Sequence, residues 1–135
     1  MAEWYFDKDA DLSVIVDKTI AVIGFGNQGR SQALNMRDSG LTVIVGSRND
    51  ESANTAKEDG FEVFEPEEAV RRAQIIFLLV PDEVMPAIYK STVEPGLDDG
   101  DLLIFASGYN IYFRHIEPPG SVDVGMIAPR MIGQG

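Results

Sequence analysis

The chain of 135 residues carries 11 basic and 22 acidic residues, a formal net charge of −11, and its sequence contains no cysteine. At this length we expect one domain, and a hydrophobic content of 44% is enough for an ordinary globular core. The negative charge argues against a nucleic acid or an anionic membrane as partner, and the lack of cysteine excludes disulfides and thiolate metal sites. With neither a signal-peptide pattern nor an apolar run of membrane-spanning length in the sequence, a cytoplasmic protein is expected.

Short apolar segments alternate with amphipathic ones along the chain, a rhythm typical of βαβα units. The pattern predicts strands over residues 19–23, 41–45, 61–64, 75–80, 102–106 and 122–127. It predicts helices over residues 28–38, 51–59, 66–72 and 82–92. The fourth and fifth strands are apolar throughout, as strands are when both faces of a parallel sheet are covered. We therefore predict an α/β fold, a doubly wound and mostly parallel sheet of the Rossmann type with strand order 3-2-1-4-5-6, as a single domain over residues 1–135.

Several residues suit the ends of these helices. Gly40 and Gly60 lie just past predicted helices, where a left-handed conformation is common. Pro66 suits a first helical turn, and Asp82 is expected to cap the helix that follows it. The acidic stretch 65–68 is interpreted as a helix amino end, where the helix dipole favours negative charge.

A glycine-rich turn, Gly24-Phe25-Gly26-Asn27-Gln28-Gly29, lies between the first predicted strand and the first predicted helix. In that context the first glycine permits a tight turn, the second lets backbone N–H groups approach a pyrophosphate, and the third lets the helix pack closely on the sheet. A purely structural glycine turn is the alternative. The position between strand and helix favours a dinucleotide, whose phosphates would lie at the helix N-terminus.

The end of the second strand bears on the choice between NAD and NADP. An NAD site has an acidic residue there, roughly 20 residues past the glycines, to bind the adenosine ribose hydroxyls. In this chain Ser47 and Arg48 take that place, and with Ser52 they suit a ribose 2′-phosphate. NADP is therefore predicted. The alternative is a solvated Arg48, compensated by Asp50 or Glu51, one of which could take the NAD role.

Residues 24–40, GFGNQGRSQALNMRDSG, resemble the amino-terminal domain of ketol-acid reductoisomerase, an oxidoreductase of branched-chain amino acid biosynthesis. Further segments similar to that domain follow in the same order and spacing: VGSR at 45–48, LVPDE at 79–83, FASGYNI at 105–111 and APR at 128–130. With the leading residues 5–12, the resemblance covers nearly the whole chain.

The resemblance implies an NADP(H)-binding domain whose cofactor contacts follow by position. These candidate contacts are Gly24, Phe25, Gly26, Asn27, Gln28, Gly29, Ser47, Arg48, Ser52, Pro81, Asp82, Glu83, Val84, Met85, Gly108 and Gly133. Some have a simpler interpretation: Gln28 as a helix-start residue, and Ser52 and Asp82 as helix caps.

The chain departs from the family pattern on the side where the reaction would occur. Ser107 stands at a family histidine, and an unactivated hydroxyl cannot replace imidazole as a base near neutral pH. We therefore assign no catalytic residue, and we interpret His115, the single histidine of the sequence, as structural or solvated. Further departures from the family pattern are Met85, Tyr112, Arg130 and Gln134.

The resemblance also covers only the nucleotide half of the family's active site. In the family, a carboxyl-terminal helical domain supplies the acids that hold two magnesium ions, and we expect that domain to be absent from these 135 residues. Asp98, Asp99 and Asp101 do not replace it, because they lack the ligand count of a dedicated metal site. We interpret them as solvated charge and predict no metal site.

Three functions stay open from the sequence. The first is the NADP(H)-binding domain of a reductoisomerase-like oxidoreductase, completed by a second catalytic domain or chain or by a homo-oligomer, and unable to catalyse the family reaction alone. The second is a free-standing NADP-binding or sensor module, and the third is a different small NADP-dependent reductase. The residues Met126, Ile127, Met131 and Ile132 form a candidate surface for a partner, or an ordinary last strand and tail.

Overall fold

A computed structural model describes residues 2–48 and 50–128. Within them the strands are β1 (Thr19–Ile23), β2 (Thr42–Gly46), β3 (Glu62–Phe64), β4 (Ile75–Leu78), β5 (Leu102–Phe105) and β6 (Asp123–Met126). They form one sheet in the order β3-β2-β1-β4-β5-β6, and every neighbouring pair is parallel. The predicted doubly wound fold and strand order are confirmed; β1 has the predicted ends, and no other strand end differs from its prediction by more than two residues.

The helices are α1 (Asn27–Asp38), α2 (Glu51–Glu58), α3 (Pro66–Arg72), α4 (Met85–Ile88) and α5 (Tyr109–Tyr112). Gly40 and Gly60 have φ of +89° and +92°, as predicted for residues past a helix end. Pro66 is the first residue of α3, also as predicted. Asp50, rather than Ser52, caps α2: its carboxylate accepts a hydrogen bond from the Ala53 N–H at 3.0 Å.

The helix predicted over residues 82–92 begins three residues later, and the expected cap at Asp82 is wrong. Val84 is the N-cap residue of α4, and Pro86 lies in the first turn, where its missing N–H costs no helical hydrogen bond. A helix starting at residue 82 would have placed that proline further inside. Beyond α4 the chain continues as a π-helical turn, Tyr89–Val93, and a 3₁₀ turn, Glu94–Gly96.

Both faces of the sheet are covered, as the apolar strands predicted. Ile20 and Val22 of β1 face the side that packs on α1 and α2, and Ala21 and Ile23 face the side that packs on α3 and α4. All four side chains are at most 2% exposed. The core thus fixes the strands, and the loops after their carboxyl ends are left free to form a site.

Two parts of the surface are apolar and exposed. In the leading segment, Trp4, Tyr5 and Phe6 are exposed next to a short 3₁₀ turn, Asp7–Asp9. At the far edge of the sheet, β6 pairs with β5 and presents exposed apolar side chains. In the part of the chain that the structure describes, no helix combines the length and apolarity needed to cross a membrane.

Candidate dinucleotide-binding site

The turn from β1 into α1 is built on two glycines that could not be replaced without moving backbone. Gly24 has φ of +95°, and a Cβ there would lie 2.7 Å from the carbonyl oxygen of Leu79. A Cβ on Gly29 would collide with the carbonyl oxygen of Gly24. These contacts let α1 start directly against the end of β1, as the motif predicts.

Gly26 has a different environment. It is the N-cap of α1, its φ and ψ of −83° and −160° are open to any residue, and a Cβ there would have no neighbour within 4 Å. No side chain in ranges 2–48 and 50–128 caps this helix end. The first N–H groups of a helix lack helical acceptors, so the start of α1 presents free donors and open space that fit a pyrophosphate.

A cavity of about 250 Å³ lies beside this turn, at the ends of β1 and β2. Among the predicted contacts, Gly24, Phe25, Ser47, Arg48 and Ser52 line it. The lining also includes Asp50, which had only the alternative NAD role, and six residues without a predicted ligand role: Ile23, Gly46, Pro66, Val80, Ile88 and Thr92. Gly46 could have been found from the sequence, because it ends the second strand at the edge where ligands bind in such sheets.

The ion pairs of Arg48 differ from the predicted compensation by Asp50 or Glu51. Its guanidinium lies 3.0 Å from Glu67 and 3.6 Å from Glu65, so among described residues its acidic partners come from the start of α3 and not from Asp50 or Glu51. The pKa of Glu67 is lowered by its backbone N–H and by Arg48. Arg48 itself is 64% exposed, which keeps the guanidinium accessible to a ligand.

Ser47 and Ser52 flank the same cavity. The hydroxyl of Ser47 donates to the Asp50 carboxylate at 3.3 Å and lies 3.4 Å from the Arg48 carbonyl oxygen. Ser52 is half-buried in the first turn of α2. Two hydroxyls and one guanidinium therefore border the space at the end of β2.

Two predicted contacts have side chains that belong to the core. Phe25 is 5% exposed and packs edge-on against Phe61, with ring centroids 5.8 Å apart. Met85 is 3% exposed, and its sulfur accepts a hydrogen bond from the Asn110 amide at 3.4 Å. The side chains of these two residues are therefore occupied by packing within the core.

A second cavity, of about 370 Å³, lies at the same edge of the sheet, between the loops after β4 and β5. Asp82 and Glu83 line it, together with Pro86, Tyr109, Asn110 and His115. The other members of the predicted loop, Pro81 and Val84, are exposed beside it. The two cavities thus lie along one carboxyl edge of the sheet, the first beside the turn into α1 and the second after β4 and β5, which suits an extended ligand.

Asn110 organises the second cavity, and sequence reasoning assigned it no role. It is 1% exposed; its amide donates to the Asp82 carbonyl oxygen at 3.2 Å, and its carbonyl oxygen lies 3.2 Å from Nδ1 of His115. The histidine ring also contacts Tyr109, with centroids 5.6 Å apart. These contacts give the single histidine a structural partner.

Ser107 has a local task in the turn after β5. Its hydroxyl accepts a hydrogen bond from the Tyr109 N–H at 3.2 Å, and the intervening Gly108 is the N-cap of α5. A Cβ on Gly108 would meet the sulfur of Met126 at 3.7 Å, an ordinary contact distance. Gly133, like Arg130, Met131, Ile132 and Gln134, lies outside the described residues.

In the acidic loop before β5, the predicted exposure is correct for two aspartates and wrong for the third. Asp98 and Asp99 are exposed, as predicted, whereas Asp101 is 5% exposed and its carboxylate accepts a hydrogen bond from the Asp98 N–H at 2.9 Å. Burial raises the pKa of Asp101, against the lowering effect of the hydrogen bond from the Asp98 N–H. Across residues 2–48 and 50–128, no group of three or more metal-ligating side chains comes together.

The parallel sheet, the open helix N-terminus and the two flanking cavities define the class of this molecule. It is a dinucleotide-binding domain of the doubly wound type, with its ligand edge at the carboxyl ends of β1 and β4.

Residues 14–135 match the family model described as acetohydroxy acid isomeroreductase, NADPH-binding domain. The chain therefore belongs to this family, and the predicted resemblance and the predicted NADP cofactor are confirmed. Two curated relatives are the ketol-acid reductoisomerases (NADP(+)) of Petrotoga mobilis and Methanocaldococcus jannaschii. Each is 52% identical over 134 residues, which are 98% of this chain and 41% of the relative.

A solved structure is similar over almost the same extent. It is an NADH-preferring ketol-acid reductoisomerase from an uncultured archaeon, 44% identical, with a TM-score of 0.89 over 94% of this chain and 40% of that chain. The chain thus spans about two fifths of the length of the relatives that it matches.

Proposed function

We propose that this chain, as one dinucleotide-binding domain, holds NADPH along the carboxyl edge of its sheet. The pyrophosphate lies at the N-terminus of α1, against the backbone of Gly26, Asn27 and Gln28. The single observation that carries this proposal is the open, uncapped start of α1, where Gly26 leaves room for a ligand that a side chain would fill.

The adenosine end then occupies the cavity at the end of β2, where Ser47, Arg48 and Ser52 surround the ribose 2′-phosphate. An exposed guanidinium with two terminal N–H donors suits a phosphate, because it can make two parallel charged hydrogen bonds. The nicotinamide end reaches the second cavity, past the turn 81–85 and Gly108. A proposed contact from Gly133 completes the predicted set.

The reaction proposed for the complete protein is that of a ketol-acid reductoisomerase, in branched-chain amino acid biosynthesis. When bound, NADPH supplies a hydride there. This chain's own residues bind and orient the cofactor, and its reaction-side serine is already engaged in a turn. We therefore propose that the chain does not turn over 2-acetolactate alone and needs a second domain, a second chain or a homo-oligomer.

The proposed contact surface for that partner lies at the edge formed by α5 and β6. Tyr112, Phe113, Val124, Met126 and Ile127 are between 45% and 80% exposed there. An apolar group of this size at a sheet edge is typical of an interface. Sedimentation equilibrium tests the homo-oligomer: we expect association at high concentration, and a purely monomeric chain contradicts it.

The cofactor proposal is tested by fluorescence titration of the purified chain with NADPH and with NADH. We expect Arg48→Ala to weaken NADPH binding about tenfold, since it removes the charged partner of the phosphate, and to leave NADH binding within about twofold. Arg72→Ala is the matched control, because Arg72 is an exposed arginine that pairs with Glu68 on α3. Unchanged NADPH affinity in Arg48→Ala removes this arginine from the site.

The proposal that the chain alone has no catalytic activity is tested by adding magnesium, NADPH and 2-acetolactate to the purified chain. We expect no turnover, and measurable turnover refutes the need for a partner. Persistent inactivity with every supplied partner domain favours the alternative of a free-standing NADP-binding or sensor module, which the engaged Ser107 also supports. The family match argues against a different small reductase, and a cytoplasmic location stays a prediction from the sequence.

A further inference from the structure

The guanidinium of Arg48 is engaged at both of its terminal nitrogens. Nη2 donates to a Glu67 carboxylate oxygen at 3.0 Å, and Nη1 lies 3.6 Å from a Glu65 carboxylate oxygen. A phosphate that binds an arginine through two parallel hydrogen bonds can use these same two nitrogens. The carboxylates and the 2′-phosphate of NADPH therefore compete for the same guanidinium.

The register of the sheet places this contact at the cavity. Gly46 of β2 pairs with Phe64 of β3, so the residues two positions beyond each strand end, Arg48 and Pro66, come together. Both line the cavity at the end of β2, and the two glutamates flank Pro66. The acids consequently stand beside the proposed phosphate position rather than on a remote surface.

A third acid, Asp50, engages Ser47, another proposed phosphate ligand. The Ser47 hydroxyl donates to the carboxylate of Asp50, and Asp50 also lines the cavity. That carboxylate is fixed as the cap of α2, whereas Glu65 and Arg48 are more than 60% exposed and Glu67 is 35% exposed. The ion pairs of Arg48 are therefore weak enough to exchange when a phosphate arrives.

We propose that Glu65 and Glu67 are specificity-determining residues that lower the preference of this domain for NADPH over NADH. The inference rests on the proposed function. NADPH must displace the carboxylates from Arg48, whereas NADH has a free ribose hydroxyl at this position and leaves the ion pairs intact. With both acids present the domain binds NADH alongside NADPH, and without them it becomes more selective for NADPH.

The test is the double variant Glu65→Gln/Glu67→Gln, titrated with NADPH and NADH at one fixed ionic strength. We expect NADPH affinity to rise about fivefold or more and NADH affinity to stay within about twofold, the scale of two screened charges near a phosphate. Glutamine keeps the shape of both side chains and both sites are partly exposed, so the variant is expected to fold; thermal unfolding checks this.

Glu68→Gln is the matched control. It removes the same charge from α3, but Glu68 pairs with Arg71 and Arg72 instead of Arg48. We expect its NADPH affinity to stay within about twofold of wild type. In an Arg48→Ala background, the gain from the double substitution is expected to vanish, because competition for a guanidinium requires the guanidinium.

The outcomes separate the inference from the proposed function. Wild-type protein that binds neither dinucleotide overturns the proposed function and this inference with it. Wild-type protein that binds NADPH, together with a double variant of unchanged or lower NADPH affinity, overturns the inference alone. An equal rise for NADPH and NADH, or a gain that persists without Arg48, also overturns it, because either result shows a general charge effect.

Discussion

The two halves of the sheet differ in how their polar groups are used. In the half formed by β1 to β3, Gly26 leaves open space at an uncapped helix start, and Arg48 makes exposed ion pairs that a ligand can replace. In the half formed by β4 to β6, Asn110 hydrogen-bonds to the loop after β4 and to His115, and Ser107 hydrogen-bonds within its own turn. The first half is prepared for a ligand, and the second is organised internally with apolar side chains left exposed at its edge.

This difference between the two halves indicates which function such a domain can perform by itself. Binding a dinucleotide phosphate needs backbone donors and one cation, and the first half supplies both locally. Acid–base chemistry needs a titratable group within reach of a substrate, and the second half places its histidine against Asn110 and Tyr109. The contrast can be broken or sharpened by five substitutions.

The largest expected effect is on the nucleotide half. Gly29→Ala places a methyl group against the carbonyl oxygen of Gly24, and neither backbone can move without separating α1 from β1. We expect a loss of about 3 kcal/mol in the free energy of unfolding, or failure to fold. Urea denaturation followed by circular dichroism measures it, and a loss below 1 kcal/mol would show that the turn is not close-packed.

The next effect tests the internal organisation of the reaction half. Asn110→Ala deletes a buried amide and leaves the Asp82 carbonyl oxygen and His115 without their partner, so we expect a loss of about 2 kcal/mol. Ser107→Ala removes one half-buried hydroxyl and is expected to cost less than about 1 kcal/mol. If denaturation shows the same loss in free energy of unfolding for both variants, Asn110 does not organise these loops.

A fourth substitution separates binding from stability at the α1 N-terminus. In Gly26→Ala the new methyl group meets no protein atom within 4 Å, so the free energy of unfolding is expected to change by less than about 1 kcal/mol. The same methyl group occupies the proposed phosphate space, and we expect about tenfold weaker NADPH binding, or about 1.4 kcal/mol. If titration shows that Gly26→Ala binds NADPH as tightly as wild type, the phosphates do not lie at the α1 N-terminus.

The smallest expected effect concerns pH. Burial raises the pKa of Asp101 above its unfolded value, so the ionised carboxylate opposes folding above the folded pKa, and the penalty disappears as the pH falls below the unfolded pKa. Asp101→Asn keeps an oxygen for the Asp98 N–H and removes the charge. We expect it to raise stability at pH 7 by less than about 1 kcal/mol, with no gain in acid. If the stability gain of Asp101→Asn instead grew as the pH fell, the pKa of Asp101 would be lowered in the folded state and this prediction would be wrong.

The fold was predictable from the sequence because two independent patterns agree. Apolar strands separated by helices of suitable length indicate a parallel sheet, and the glycine turn marks the first crossover at its centre. The right-handedness of such crossovers then leaves one strand order for this motif. The glycine turn was predictable for the same reason, because its contacts are local in sequence.

The details that were missed depend on contacts across the sheet. The ion pair of Arg48 with Glu67 depends on the register of β2 against β3, and the predicted second strand began one residue too early. The burial of Asp101 depends on the packing of the loop before β5, where an acidic sequence gave a prediction of exposure. The start of α4 was a local error, because the helical pattern outweighed the signal of Pro86.

The π-helical turn Tyr89–Val93 also matters for comparisons between sequences. A π turn closes its hydrogen bonds over five residues instead of four, and it adds the equivalent of one residue to an otherwise α-helical segment. An alignment that treats residues 85–93 as continuous α-helix would therefore misplace the faces after Ile88 by about 100°, one helical step. Deleting one residue from the turn would restore continuous α-helical hydrogen bonding and leave the residues beyond the turn on their present faces.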